Sequence, residues 1–294
     1  MTLRRALAGV VLLVLVAPSA AFAGSSDFNP ADEFRLDPWV SIHIGPFDMS
    51  INKAVAYLAL ASLLTIAFGI GFMRLRLRVD PGSRQTVGES IYDVVQTQIA
   101  EQGLPSKAIG RWFPYVASLF LFIWIANLIS FLPLPLTNDK FHVGGVALPA
   151  WGIYAVASQL SVTLVLAVFS VVFTHVEGFR WNGLKYFKSF IPAGVPKAMI
   201  VPMAFLETIS HIFRVVSLSV RLYANMLAGH MLILISIGLI FILSGITFYI
   251  AVPISFLIGI AFYGFEVAIV VTIQAFIFAA LTAIYIGSAI EPEH

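Results

Sequence analysis

Apolar residues along the chain are collected into five runs, each long enough to cross a membrane as a helix, which takes about 20 residues. These runs lie near 52–73, 112–135, 151–174, 199–243 and 248–289. The last two exceed a simple span, so the pattern allows tilted helices, broken helices or two spans each. The chain is therefore predicted to be an all-α integral membrane protein with about five membrane-crossing segments.

Polar residues and prolines separate or interrupt these runs. Residues 86–103 are too polar to cross a membrane and predict a short surface helix. Prolines end or kink helices. Those expected to mark span ends or kinks are Pro133, Pro135, Pro192, Pro196 and Pro253.

The first 23 residues have the pattern of a secretory signal peptide. Arg4 and Arg5 precede an apolar stretch, and Ala-Phe-Ala precedes Gly24. An uncleaved membrane helix is the alternative. In either case residues 24–50 are expected to form an extracytoplasmic segment and residues 51–294 the membrane domain.

Lysine and arginine are distributed unevenly between the two sides of the predicted spans. If the segment before residue 52 is outside, the stretches 74–111 and 175–198 are inside and hold ten of these residues, against three outside. Cytoplasmic loops carry an excess of Lys and Arg. The mature N-terminus is therefore predicted outside, and the C-terminus and the surface helix in the cytoplasm.

Composition agrees with a membrane protein and excludes several function classes. The chain is 60% hydrophobic and 11% charged, whereas soluble domains are about 25% charged. A net charge of +2 without a basic aromatic patch argues against nucleic acid as a partner. With no cysteine, no phosphate-binding loop and no HExxH motif, neither a metal site nor a cofactor is expected.

Polar residues in the fourth run form a stripe along one helical face at about 100° per residue. They are Glu207, Ser210, Arg214, Ser217, Arg221 and Asn225. His230 is nine residues beyond Arg221, about 180° round the helix. Charged residues within a membrane usually face a cavity or a partner and mark an ion path.

The same residues could instead have purely structural roles. Arg214 could snorkel or cap near the inner boundary. Arg221 could form a buried ion pair with Glu266, whereas Glu207 is about 21 Å away along the helix. For Ser210 and Ser217, a hydroxyl bonded back to its own helix is the expected arrangement.

The fifth run adds a second polar set: Glu266, Thr272, Gln274 and Tyr285. A glutamine in a membrane often joins helices, whereas a glutamate there is more often functional. Histidine can change its charge near neutral pH. A proton relay is therefore predicted from the following residues of the two runs: Arg221, Asn225, His230, Glu266 and Gln274.

Two stretches carry a resemblance to a known family. "SLSVRLYANMLAGH" (217–230) and "TIQAFIFAALTAIYIGSAI" (272–290) resemble the a subunit of F-type ATP synthases, the membrane stator beside the rotating c-ring. "FIWIANLISFLPLP" (122–135) is similar to the family's Asn-Leu…Pro signature in the second span. The similarity covers roughly residues 30–290.

The resemblance implies a role for each site residue. Arg221 would face the c-ring carboxylate and keep two half-channels apart, with Asn225 and Gln274 beside it. His230 and Glu266 would form the outer half-channel pair. Glu207, Ser210 and Ser217 would line the inner half-channel, with Arg214 near its mouth. Tyr223-Ala224 replaces the usual Phe-Gly, and Glu266 is one residue further from Gln274 than the family pattern.

The resemblance also implies the setting. The fourth and fifth runs would form a long, strongly tilted hairpin against the ring, in the plasma (inner) membrane of a bacterium. The partners would be the c-ring of small hairpin subunits, peripheral-stalk b subunits, the catalytic head through the stalk, and the lipid bilayer. The chain would have no catalytic site of its own.

Three alternatives stay open. One is a stand-alone secondary transporter, although no internal repeat is visible in the chain. Another is a structural scaffold in which the stripe only joins helices. The third is a Na⁺-translocating version of the same subunit.

Overall fold

The computed structural model describes residues 34–44, 47–73, 79–80, 82–135, 140–143, 146–149, 152–190, 196, 199–242 and 246–291. The predicted signal peptide, 1–23, lies outside the described residues, as does Pro192. The described α-helices are α1 (Lys53–Met73), α2 (Ser83–Val94), α3 (Glu101–Gly103), α4 (Ser106–Ile129), α5 (Leu160–Asn182), α6 (Ile200–Ile242), α7 (Ile246–Phe265) and α8 (Val271–Ile290).

Among the described residues, five helical segments are long and apolar enough to cross a membrane, in agreement with the predicted number. They are Lys53–Met73, Ser106–Ile129, Leu160–Tyr186, Ile200–Gly238 and Val252–Ile290. The predicted surface helix is observed as α2 and α3, joined by the π-helical turn Val95–Ala100. The chain is an all-α integral membrane protein.

Three short antiparallel strand pairs accompany the helices and were not predicted from the sequence. The strands are β1 (Pro38–Val40), β2 (His43–Ile44), β3 (Phe47–Asp48), β4 (Ile51–Asn52), β5 (Lys140–Val143) and β6 (Val146–Pro149). β1 pairs with β4, β2 with β3, and β5 with β6. The first two pairs form one hairpin that leads directly into α1.

The second and third spans begin and end elsewhere than predicted. α4 ends at Ile129, four residues before Pro133, which has no N–H to donate to the Ile129 carbonyl. α5 runs from Leu160 to Asn182 rather than from 151 to 174. It ends where Gly183 adopts a positive φ of 55°, a conformation that glycine takes readily at a helix terminus.

The fourth run forms one unbroken helix. α6 has 43 residues, which is about 65 Å at 1.5 Å per residue. The hydrocarbon core is only about 30 Å thick. In the fifth run, α7 and α8 are joined by the π-helical turn Glu266–Val270, and Pro253 lies within α7.

The described residues divide into two compact units. The first unit falls within Met1–Ser62, Ala126–Ser158 and Asn225–Val271, and the second within Leu63–Ile125, Gln159–Ala224 and Thr272–His294. In the first unit, the Lys53 amine lies 4.8 Å from the ring centre of Tyr154, which also packs edge-on against Tyr57. These contacts fix the start of α1.

A buried carboxylate joins two helices of the second unit. Glu177 on α5 is buried, and its Oε1 lies 3.2 Å from the Arg111 guanidinium on α4. Trp181 Nε1 donates a hydrogen bond of 2.9 Å to Oε2. The carboxylate is satisfied by these partners, so Glu177 serves the packing of α4 and α5.

Glycines also let α3 approach α8 closely within the second unit. A Cβ on Gly287 would collide with the carbonyl oxygen of Gly103, and a Cβ on Gly103 would lie 2.7 Å from the Cβ of Ala283. Small residues of this kind allow membrane helices to approach backbone to backbone.

Gly287→Val is expected to destabilise the chain by about 1–3 kcal/mol, because a backbone oxygen cannot move aside as a flexible side chain would. The measurement is the thermal unfolding midpoint of the purified membrane complex. Gly110→Val is the matched control, because a Cβ at Gly110 meets nothing within 4 Å. An equal response of the two variants would contradict the close packing described here.

Candidate functional site

Arg221 lies on α6 with an exposed side chain. Among the residues that the structure describes, none forms a hydrogen bond or ion pair with it. The guanidinium, which carries five donors, is available on the surface of a membrane-spanning helix.

Burial varies along the predicted stripe of α6. Ser217 and Asn225 are exposed like Arg221, Glu207, Ser210 and Arg214 are half-buried, and His230 is fully buried.

The serine hydroxyls differ from expectation. Ser210 and Ser217 do not bond back to α6 and have no hydrogen-bond partner in the described part of the chain. Their neighbours Thr208 and Ser219 do bond back, to the carbonyls of Ala204 and Val216. The two stripe hydroxyls therefore remain available to other groups.

A polar cavity of about 580 Å³ lies within the second unit, and we call it the Glu207 cavity. α3, α5, α6, α8 and the turn after α5 contribute to its walls. Its polar lining comes from Gln102, Thr174, Tyr186, Glu207, His211, Arg214, Ser288 and Glu291. A polar cavity of this size is large enough to hold water molecules.

Charged groups meet on one wall of the Glu207 cavity. Glu207 Oε1 lies 3.5 Å from His211 Nε2 and 3.7 Å from the Arg214 guanidinium. The Arg214 guanidinium also lies 5.0 Å from the ring centre of Tyr285. Arg214 is thus paired with Glu207 inside the cavity, and it does not only extend its charged end toward the membrane surface.

His175 and Tyr186 extend this cluster and were not predicted as site residues. The Tyr186 hydroxyl lies 2.8 Å from His175 Nδ1, and the His175 and His211 rings pack edge to face at 4.9 Å. The missed signal was a histidine directly after the predicted end of the third span at 174. Because α5 continues to Asn182, His175 is on the spanning helix.

His230 is buried in the first unit between two backbone carbonyls. Its Nδ1 lies 3.1 Å from the carbonyl oxygen of Met226, and its Nε2 lies 3.2 Å from that of Ser130. A neutral imidazole donates from one nitrogen only, whereas a protonated ring donates from both. Two facing carbonyl oxygens can therefore accept hydrogen bonds from both nitrogens of a protonated ring, whereas a neutral ring donates to only one of them.

Glu266 is also buried in the first unit, and its Oε2 has no hydrogen-bond partner among the described residues. Leaving a buried polar atom unsatisfied costs about 1–3 kcal/mol, and such an atom calls for a functional explanation. The carboxyl group occupies the space beside Gly229 of α6 that a Cβ would otherwise take. Glu266 thus lies against the residue next to His230, although the two side chains are not hydrogen-bonded.

A π-helical turn, Glu266–Val270, lies between the Glu266 side chain and Gln274. A π-helical turn closes a bond from residue i to i+5 and holds one more residue than an α-helical turn. Such turns are frequent at functional sites.

Asn127 is a further candidate site residue, which the sequence identified only as part of the motif at 122–135. Its side chain is 1% exposed, and neither its amide nitrogen nor its amide oxygen has a partner in the described ranges. Its backbone carbonyl accepts a hydrogen bond from the Ser130 hydroxyl, and the Ser130 carbonyl faces His230. The signal available in the sequence was an amide side chain within an apolar span.

Gln274 lies on α8 in the second unit and is buried. It forms no hydrogen bond within the described part of the chain, so no hydrogen bond joins it to Arg221. Two residues away, Thr272 accepts a hydrogen bond of 3.2 Å from Trp124 Nε1. The described ranges contain no cluster of three or more His, Cys, Asp or Glu residues that could hold a metal ion.

Comparison with known proteins identifies the family. The family model of the ATP synthase A chain matches residues 55–287. The chain is 36% identical over 270 residues to ATP synthase subunit a of Rubrobacter xylanophilus, covering 89% of this chain and 93% of the relative. It is 32% identical over 276 residues to ATP synthase subunit a of Nitrobacter winogradskyi, covering 90% and 99%. It therefore belongs to the ATP synthase subunit a family.

Proposed function

We propose that this chain is the proton-translocating stator subunit of a rotary F-type ATP synthase. Subunit a belongs to the membrane sector of that complex and is not itself catalytic. The observation that carries the proposal is Arg221, an exposed cation on a spanning helix that no described residue pairs. Placing such a charge in a membrane costs at least about 2.5–3.5 kcal/mol, so its partner is expected on another protein.

The partner is a ring of small hairpin subunits, each carrying a carboxylate. A deprotonated carboxylate is attracted to Arg221 as it arrives, and it leaves after it is protonated, because its charge is then lost. Guanidinium stays charged and has no acceptor site, so it does not relay protons itself. It thereby stops protons from passing directly between two half-channels, while Asn225 and Gln274 orient the carboxylate or water nearby.

The inner half-channel is the Glu207 cavity. Its charged and polar side chains supply a hydrated path, and the half-buried Glu207 and Arg214 lie on the same face of α6 as Ser217 and Arg221. Ser210 and Ser217, whose hydroxyls are not bonded to α6, continue this path. His175, His211 and Tyr186 add groups that donate and accept protons or hydrogen bonds.

The outer half-channel uses the buried polar groups of the first unit. His230 and the Glu266 carboxyl group, whose Oε2 has no partner among the described residues, can each take up and release a proton. Asn127 supplies a buried amide that can hold water in the same unit. Together these groups give protons a route through an apolar region.

The proposal includes the assembly and its orientation. The mature N-terminus lies outside the plasma membrane of a bacterium, after removal of the signal peptide 1–23, and the C-terminus lies in the cytoplasm. The b subunits of the peripheral stalk hold the chain against the ring and connect it to the catalytic head. The length of α6 suits a strongly tilted helix that follows the ring surface.

Reconstitution tests this function. The chain should co-purify with an oligomeric ring of small hairpin subunits, and the complete complex in liposomes should acidify the lumen when ATP is added. The chain alone should move no protons. Proton or Na⁺ transport by the purified chain alone would identify a secondary transporter, and pumping by the complex that requires Na⁺ would identify the Na⁺ version.

A further inference from the structure

The hairpin ahead of α1 carries an apolar face that is exposed. Val40 is directly opposite Ile51, and the Met49 N–H donates a hydrogen bond of 2.8 Å to the carbonyl of Ile42. Since side chains alternate across a strand, these four residues lie on one face of the hairpin. Their exposed fractions are 51% for Val40, 38% for Ile42, 61% for Met49 and 40% for Ile51.

The opposite face of the hairpin carries polar residues beyond the register shift in β1, where Trp39 is also exposed. Ser41 and His43 alternate with Val40 and Ile42 along one strand, and Ser50 precedes Ile51 on the other. The Ser50 hydroxyl accepts a hydrogen bond of 3.2 Å from the Ile42 N–H. The hairpin is thus amphipathic, with the two-residue period that a sheet lying on an apolar layer requires.

The hairpin is joined to the first membrane span without a linker. Asn52 ends β4, and its Oδ1 accepts a hydrogen bond of 3.1 Å from the Val55 N–H in the first turn of α1. Lys53 is buried with its amine against the Tyr154 ring. These contacts hold the hairpin where the apolar helix begins, at the boundary of the bilayer.

The lipid-facing surface of α1 begins within one turn of the hairpin. Val55 is 44% exposed, and the apolar window of α1 is only 11% buried inside the protein. The apolar face of the hairpin is therefore continuous along the chain with the exposed apolar surface of α1. None of the four residues of this apolar face carries a charge. Burying the face at the boundary of the bilayer therefore removes water from no ionic group.

We propose that the face formed by Val40, Ile42, Met49 and Ile51 lies in the outermost acyl layer of the bilayer and anchors the start of α1 to lipid. Amphipathic elements next to a membrane bind in this way, with the apolar face about 5–10 Å below the headgroup boundary. The inference depends on the membrane location of α1 and not on proton transport. Its occupant is phospholipid, not another protein.

Single cysteines test the proposal, because the natural chain contains none. Val40→Cys and Met49→Cys are labelled with a small environment-sensitive fluorophore in the intact ATP synthase complex in nanodiscs. Lipids with a nitroxide high on the acyl chain serve as quenchers. Ser41→Cys, next to Val40 on the opposite face, is the matched control, and the unsubstituted complex gives the background.

Labels at 40 and 49 should be quenched severalfold more than the label at 41 and should emit at shorter wavelength. Equal quenching at all three positions would overturn the proposal. Weak quenching together with protection from water-soluble thiol reagents would also overturn it, because a protein segment would then cover the face. ATP-driven acidification by the same complexes reports separately on the proposed function.

Discussion

Arg221→Ala is expected to abolish ATP-driven proton pumping by the complex while leaving the thermal stability of the chain nearly unchanged. Stability should be retained although pumping is lost, because Arg221 is exposed and no described residue depends on it for a hydrogen bond or ion pair. Substitutions at such positions usually change the free energy of unfolding by no more than about 0.5 kcal/mol. The pumping defect comes from losing the charge that attracts the ring carboxylate.

Inverted membrane vesicles with a pH-sensitive dye provide the pumping measurement, and hydrolysis by the detached catalytic head shows that the head is intact. Val220→Ala is the matched control, because Val220 is exposed on the adjacent position of α6 and carries no charge. Arg221→Lys retains a charge but loses the planar fork and should pump poorly. Normal pumping by Arg221→Ala would refute the proposed role of the residue.

Gly229→Ala is expected to slow proton transport by about tenfold, the factor that corresponds to ~1.4 kcal/mol in the barrier. The new Cβ would occupy the place of the Glu266 carboxyl group. Because that group ends a flexible side chain, it can swing aside at modest cost to stability. Glu266 would then be moved away from the position from which it is proposed to exchange protons.

A double-mutant cycle shows whether Gly229 acts through Glu266. In a Glu266→Gln background, Gly229→Ala should slow transport much less than in the natural chain, since non-additivity reports coupled residues. Gly259→Ala is the control, because its Cβ would meet Ser236 at an ordinary 3.7 Å. Additive effects of the two substitutions would mean that Gly229 does not position Glu266.

Hydropathy predicted the five spans well because it depends only on local composition. Hydropathy misplaced the helix ends that depend on backbone conformation or on contacts with other helices. α5 continues through Glu177 because that carboxylate is paired with Arg111 of another helix, which hydropathy does not detect. The same error left His175 outside the predicted span and hence outside the predicted site.

Helical periodicity predicted that Arg221 and Asn225 share a face and that His230 points elsewhere. In the structure Arg221 and Asn225 are exposed and His230 is buried. Periodicity does not reveal what a side chain contacts. The pairing of Arg214 with Glu207, and the absence of described partners for the Ser210 and Ser217 hydroxyls, came only from the structure. The buried, unpaired amide of Asn127 was likewise not visible from its position in a motif.

The sequence by itself determined that this is a five-span membrane protein with a polar stripe on its fourth helix, and its motifs indicated the family. These properties follow from composition and from the 3.6-residue period, which are local. The tertiary structure alone decided which polar residues share the Glu207 cavity, why Gly229 leaves room for Glu266, and where a π-helical turn takes up an extra residue. Those features depend on contacts between residues far apart in the chain, which no local pattern specifies.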